Sequence, residues 1–268
     1  MMKKRWLTAI SLCLMTACAV SPTGRKQLLL MGNSQVAEMG LTSFNQIKEK
    51  EKISTDQKTN QFVQCVANAV TRVIPPQYAA TNPGQWEVVV FDSKEVNAFA
   101  LPGGRIGVYT GILKVTQNQD QLAAVIGHEI SHVLAQHSNE RLSQSTVANI
   151  GMTAANEVLK NSTAQPAAMA ALGMGVQYGV LMPYSRAHES EADILGVDLM
   201  AMAGFNPQES IKLWRAMAAQ SQGKAPLEIL STHPSDQTRI NQLQSLMPKV
   251  MPVYQQAISA GIQPHCAG

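Results

Sequence analysis

Several absences narrow what this sequence can be. No run of basic residues is interleaved with aromatics, and the net charge is only +3. That leaves no electrostatic footprint for a nucleic-acid partner. No internal repeat or tetratricopeptide-like period occurs along the 268 residues, which sets aside repeat architectures. Long apolar runs are missing too. The N-terminal one, Trp6 to Met15, is too short to span a bilayer. A second apolar stretch, Asn161 to Ser185, carries no charge but is broken by Gln165, Pro166 and Gln177 and dominated by small residues, so its insertion would be weak. It reads either as a mobile element beside a cleft or as a core helix with methionine filler; the sequence does not choose. With 45% hydrophobic and 15% charged residues, the rest has the composition of an ordered globular protein.

Cysteine is scarce, and position sorts the four. "MMKKRWLTAISLCLMTAC" has a positive start (Lys3, Lys4, Arg5), a short apolar stretch, and small residues before Cys18, the layout of a secretory signal. The small residues before that cysteine resemble the bacterial lipobox, which makes residues 1–17 a lipoprotein signal peptide and Cys18 the lipidation site; an ordinary signal peptide cut nearby, with Cys18 incidental, is the alternative. Ala19 follows in place of the aspartate associated with inner-membrane retention. The expected location is therefore the outer membrane of a Gram-negative bacterium, facing the periplasm. Cys13 leaves with the signal, so Cys65 and Cys266 remain as a possible disulfide in an oxidising compartment; two separate thiols are the alternative.

A linker over residues 18–32 leads into one domain, 33–268. Asn33 or Ser34 caps a helix reaching about Lys50, and Ser54 or Thr55 caps a second one ending at Pro75-Pro76. This helical lead-in (33–76) precedes a catalytic core at about 86–247 and a C-terminal tail, 248–268. "WEVVVF" (Trp86 to Phe91) reads as a strand, and "NAFAL" and "RIGVY" flank a tight Pro102-Gly103-Gly104 connection.

A helix starting near Asn118 and running past His137 carries "AAVIGHEISHVLAQH". His128 and His132, four apart, share one face, and Leu122, Val125, Ile126, Ile130, Val133 and Leu134 form an adjacent apolar stripe. Two such imidazoles suit a catalytic zinc that keeps one position for water, and Glu129 is placed to take that water's proton. The extended pattern with a third histidine fails, because Ala135 and Ser138 occupy its Gly and His positions and His137 is one residue off. A carboxylate from "HESEADILG" supplies the third ligand: Glu189, with Glu191 as runner-up. Asp193, four residues beyond Glu189, accepts a hydrogen bond from a ligand histidine, and Gly196 permits close packing.

Four stretches, "NAFALPGGRIGVYTGIL", "VIGHEISHVLAQH", "HESEADILG" and "STHPSDQTRI", together resemble the zinc metallopeptidase family of the CAAX prenyl protease and HtpX, most of all its soluble periplasmic lipoprotein branch. The resemblance covers roughly Trp86 to Met247. It implies an α+β, mainly helical gluzincin domain with a small mixed sheet, and one Zn2+ per chain held by His128, His132 and Glu189. It also implies Glu129 as general base and catalytic roles for His233 and Arg239 near the metal. The polypeptide substrate is expected to lie along the strand Asn97, Ala98, Phe99, Ala100 and extend the sheet. Two rival readings use the same zinc. One is a client-binding lipoprotein whose site is blocked by His233; the other is a structural zinc protein.

Overall fold

The computed structural model describes residues 18–160, 162–176, 182–220, 227–233 and 237–266. The signal-peptide assignment at 1–17 lies outside them. The chain divides into two compact units. One comprises the residues up to Gly32 together with Ala135–His188, and the other comprises Asn33–Leu134 with Glu189–Gly268.

The second, larger unit opens with helix α1 (Asn33–Lys50) and helix α2 (Gln57–Arg72). The cap of α2 is Asp56, not Ser54 or Thr55: its carboxylate accepts from the Lys58 N–H at 3.2 Å and the Thr59 hydroxyl at 2.6 Å. An acceptor of this kind satisfies the free N–H groups of a first helical turn. Three strands follow: β3 (Glu87–Phe91), β4 (Ala98–Leu101) and β5 (Arg105–Tyr109). Their order is β3-β5-β4, with β3 parallel and β4 antiparallel to β5, so the sheet is mixed and β4 forms one edge. Trp86 and Asn97 fall just outside the strands expected to contain them. The β4–β5 turn uses Gly103 and Gly104 at φ +84° and +80°, the left-handed region open to glycine.

Helix α3 (Gln119–Leu134) begins under Asn118, whose side chain accepts from the Gln121 N–H at 2.9 Å. Almost every residue of α3 is buried, its apolar stripe lying in a core shared with α2, β3–β5 and later helices. The expected continuous helix past His137 is not what forms. The chain breaks at Ala135, Gln136 takes φ +56°, and helix α4 (His137–Leu159) starts afresh. A left-handed non-glycine residue is a local strain that no hydrophobic period announces. Helix α6 (Met182–Met202) crosses from one unit into the other along the chain. It is followed by α7 (Gln208–Gln220), the short α8 (Glu228–Thr232) and α9 (Gln237–Ser259). Cys65 and Cys266 are joined by a disulfide with Cα atoms 5.7 Å apart.

In the smaller unit the residues expected as a linker form a strand pair, β1 (Cys18–Val20) and β2 (Lys26–Leu28). They are fastened to α4: the Leu30 N–H donates to Ser143 Oγ at 2.9 Å and Asn139 Nδ2 to the Met31 carbonyl at 2.8 Å. Helix α5 (Gln165–Val176) completes the unit. None of its described side chains is buried, which is not the burial of a core helix over residues 162–174; the side chains of residues 161 and 175–185 are not among those described. No described helix is long and apolar enough to cross a membrane.

Candidate metal centre

Two glycines set the spacing of the site. Where α3 crosses α6, a Cβ on Gly196 would sit 3.0 Å from the His128 backbone nitrogen, and one on Gly127 would sit 3.0 Å from the Gly196 carbonyl. Only bare backbone lets the two helices approach this closely, and the approach brings His128, His132 and Glu189 together. His233, immediately after α8, joins them; its N–H donates to the Ile229 carbonyl at 2.8 Å.

Among the described residues, His128, His132, Glu189 and His233 form a group able to hold a metal ion, with donor atoms all within 4.8 Å of one another. His128 Nε2 lies 3.1 Å from His132 Nε2, 3.2 Å from Glu189 Oε2 and 3.3 Å from His233 Nδ1. His132 Nε2 is 3.5 Å from Glu189 Oε1, and His233 Nδ1 is 3.0 Å from both Glu189 oxygens. Tetrahedral ligands on bonds of about 2.0–2.1 Å are separated by roughly 3.3 Å. These five edges, 3.0–3.5 Å, lie near that length, and imidazole nitrogen with carboxylate oxygen is a donor set suited to zinc. His128 and Glu189 are buried, while His132 and His233 keep 13% and 15% of their side-chain surface, which opens the group on one side.

The buried wall behind the donors is charged. Asp193 Oδ1 accepts from His128 Nδ1 at 3.0 Å, which leaves Nε2 free for a ligand role. Arg239 donates Nε and Nη2 to Asp193 at 2.7 and 2.8 Å, and its Nη1 lies 3.2 Å from Glu189 Oε2. Arg239 thus joins Asp193 to Glu189 behind the donor group, contacts by which it positions both. Its guanidinium also lies over the Trp214 ring at 4.5 Å, and that ring is 5.5 Å from His128. Trp214 was not foreseen; a single aromatic inside an ordinary amphipathic helix gives no signal.

These contacts set the proton affinities. Burial alone would lower the pKa of His128, but hydrogen bonds and charge from Asp193 and Glu189 outweigh it and raise the value to about 9. Burial likewise works against the Glu189 charge, yet His128 and His233 hold its carboxyl well below the usual range. Asp193 is lowered against its burial chiefly by Arg239. Glu129 is buried, and its Oε1 has no hydrogen-bond partner among the described residues, His233 Nε2 being 3.5 Å away. An unsatisfied carboxylate oxygen beside a donor cluster is costly, and such groups gather where chemistry is done.

Two neighbours from the sequence do not join the site. His137 stacks on His188 at 4.3 Å within the smaller unit, and His188 Nε2 is 3.0 Å from Glu140. Glu191 is buried but is not among the clustered donors. Asn97 uses its backbone carbonyl to accept from the Tyr109 N–H at 3.1 Å.

A profile of Peptidase family M48 matches residues 57–247, and the chain belongs to that metal-dependent family. It is 36% identical over 189 residues to the mitochondrial metalloendopeptidase OMA1 of Saccharomyces cerevisiae, covering 65% of this chain and 50% of that one. To the metalloendopeptidase OMA1 of Bos taurus it is 31% identical over 254 residues, 89% of this chain and 47% of the other. The beta-barrel assembly-enhancing protease of Yersinia pestis is 27% identical over 216 residues, 76% and 42% respectively. The chain thus spans about half the length of the curated relatives it matches.

Proposed function

We infer that this chain is a zinc-dependent endopeptidase, anchored by a lipid on Cys18 to the outer membrane, that hydrolyses unfolded or misassembled envelope polypeptides. The observation carrying the reading is the convergence of His128, His132 and Glu189 around one point, with a Glu129 oxygen beside them that accepts no hydrogen bond among the described residues. Those three side chains would hold the ion, which when bound supplies a Lewis acid that polarises a peptide carbonyl and acidifies water. Glu129 accepts the proton of the attacking water and returns it to the leaving amine nitrogen. Asp193 and Arg239 keep His128 and Glu189 in place. The β4 edge offers main-chain groups to an extended substrate, a mode that reads little sequence and fits unfolded clients. Quality control in the envelope is supported by the lipobox-like N-terminus and by the kinship with the beta-barrel assembly-enhancing protease.

The test is cleavage of casein by the zinc-loaded chain beside Glu129→Gln. Equal zinc content with turnover in the parent alone supports the reading; equal turnover in both sinks it. A second reading, a latent or client-holding protein, is favoured by His233 Nδ1 lying among the donors as a fourth vertex. Under that reading the parent is silent; activity gained by His233→Ala marks a self-blocked site, and continued silence marks a client-holding protein.

A further inference from the structure

The smaller unit has a surface that water does not explain. From Leu142 to Val176 the only charged residues are Glu157 and Lys160, and these pair with each other at the C-terminal end of α4, so the stretch has no net charge. Along α4, Val147, Ile150 and Val158 are 50%, 65% and 83% exposed. With the exposed Ala154 they fall within a quarter-turn of one helix face. Helix α5 is apolar on every side, Gln165 being its only polar residue, yet none of its described side chains is buried; Leu172 and Met174 are 43% and 59% exposed. A helix apolar all round is normally a buried one. Of the twelve large apolar side chains exposed among the described residues, seven belong to this unit, Val20 and Leu30 included.

We propose that the α4–α5 hairpin rests on the lipid bilayer, lying in the interface without spanning it. The occupant is chosen by where the chain enters. Cys18 pairs with Leu28 across the β1–β2 ladder, and two residues later Leu30 is hydrogen-bonded to Ser143 on α4. A lipid on Cys18 therefore holds the first turns of α4 close to the membrane, so the proposal rests on the lipid-anchor reading. No basic cluster lies on the hairpin. Its contact is with acyl chains and glycerol backbone, and it needs neither anionic lipid nor low salt.

The experiment uses the full chain, processed and lipidated in its host membrane, on phosphatidylcholine vesicles carrying a lipid with a diazirine in its acyl chain. Irradiation is followed by peptide mapping. The expected result is flotation with adducts in Leu142–Val176 that persist at high salt. Ile150→Lys with Val158→Lys, both exposed positions, should cut those adducts roughly tenfold, because ammonium groups are expelled from hydrocarbon, while flotation continues. Flotation with adducts confined to the vicinity of Cys18, or hairpin cross-links to a second copy, overturns the proposal and leaves the anchor standing. If the parent floats no better than Cys18→Ser, the anchor reading fails and this proposal with it.

Discussion

Asp193→Asn separates the support of the metal centre from its ligands. The carboxylate accepts one hydrogen bond from His128 and two from Arg239. Its side chain is 1% exposed and that of Arg239 is 8% exposed. The amide keeps the shape and leaves an oxygen for His128, but it turns an N–H toward the guanidinium and removes the charge. Breaking a buried ion pair from one side costs about 3–5 kcal/mol, because the remaining charge stays buried. Arg239 keeps Glu189 at 3.2 Å, which places the expected loss at the lower end, about 3 kcal/mol. Outer hydrogen bonds of this kind are worth about 10–100-fold in metal affinity. Urea unfolding in the presence of chelator reads the first quantity, and competition with a chromogenic chelator reads the second. The His128 ring proton, held to about 9 in part by Asp193, should titrate lower in the variant by NMR. Arg239→Met alone should be destabilising, and the double variant less so than the sum of the two. Zinc affinity within twofold of the parent, with stability within about 1 kcal/mol, would refute the reasoning, since the pair would then be incidental.

Other expectations follow from named contacts. Gly196→Ala places a methyl 3.0 Å from the His128 nitrogen; overpacking of this kind costs about 1–3 kcal/mol, and chelator competition should show weaker zinc binding because the ligands sit on both helices. Glu140 is fully buried. Against that burial, hydrogen bonds from His188, Arg25 and Gln27 lower its carboxyl from 4.5 to about 2. A lowered acid contributes stability that is complete above the ordinary pKa and is lost as pH falls from about 4.5 toward 2; the full amount is about 3 kcal/mol. Urea titrations across that range should show the loss in the parent, and Glu140→Gln should flatten it. The Cys65–Cys266 bond closes a separation of 201 residues, so Cys266→Ser should cost about 2–5 kcal/mol by thermal unfolding. An unchanged melting curve would contradict that.

What could be read from the sequence was what depends on short spacing. His128, Glu129 and His132 occupy one turn of one helix, and Glu189 with Asp193 repeat the same interval on another, so periodicity alone proposed both faces. The strands were legible as apolar runs, but not the parallel pairing of β3 with β5, which joins segments through an intervening strand. His233 came from the family resemblance, and its seat among the donors required a fold that brings α8 back to α3. The stop at Gln136 was invisible because a left-handed residue without glycine has no compositional mark. The buried Glu140 gave no signal in the sequence. Its partners come from two distant stretches of chain, Arg25 with Gln27 and then His188, and no local pattern ties them to it.

The central claim is that His128, His132 and Glu189 hold a zinc ion beside Glu129. Zinc K-edge absorption spectroscopy on the purified full chain, with metal content measured on the same sample, tests it most directly. The account predicts about one zinc per chain in a shell of nitrogen and oxygen at about 2.0–2.1 Å, with imidazole scattering and no sulfur. His128→Ala should abolish the signal. Zinc bound through sulfur at about 2.3 Å, or no stoichiometric zinc at all, would contradict it.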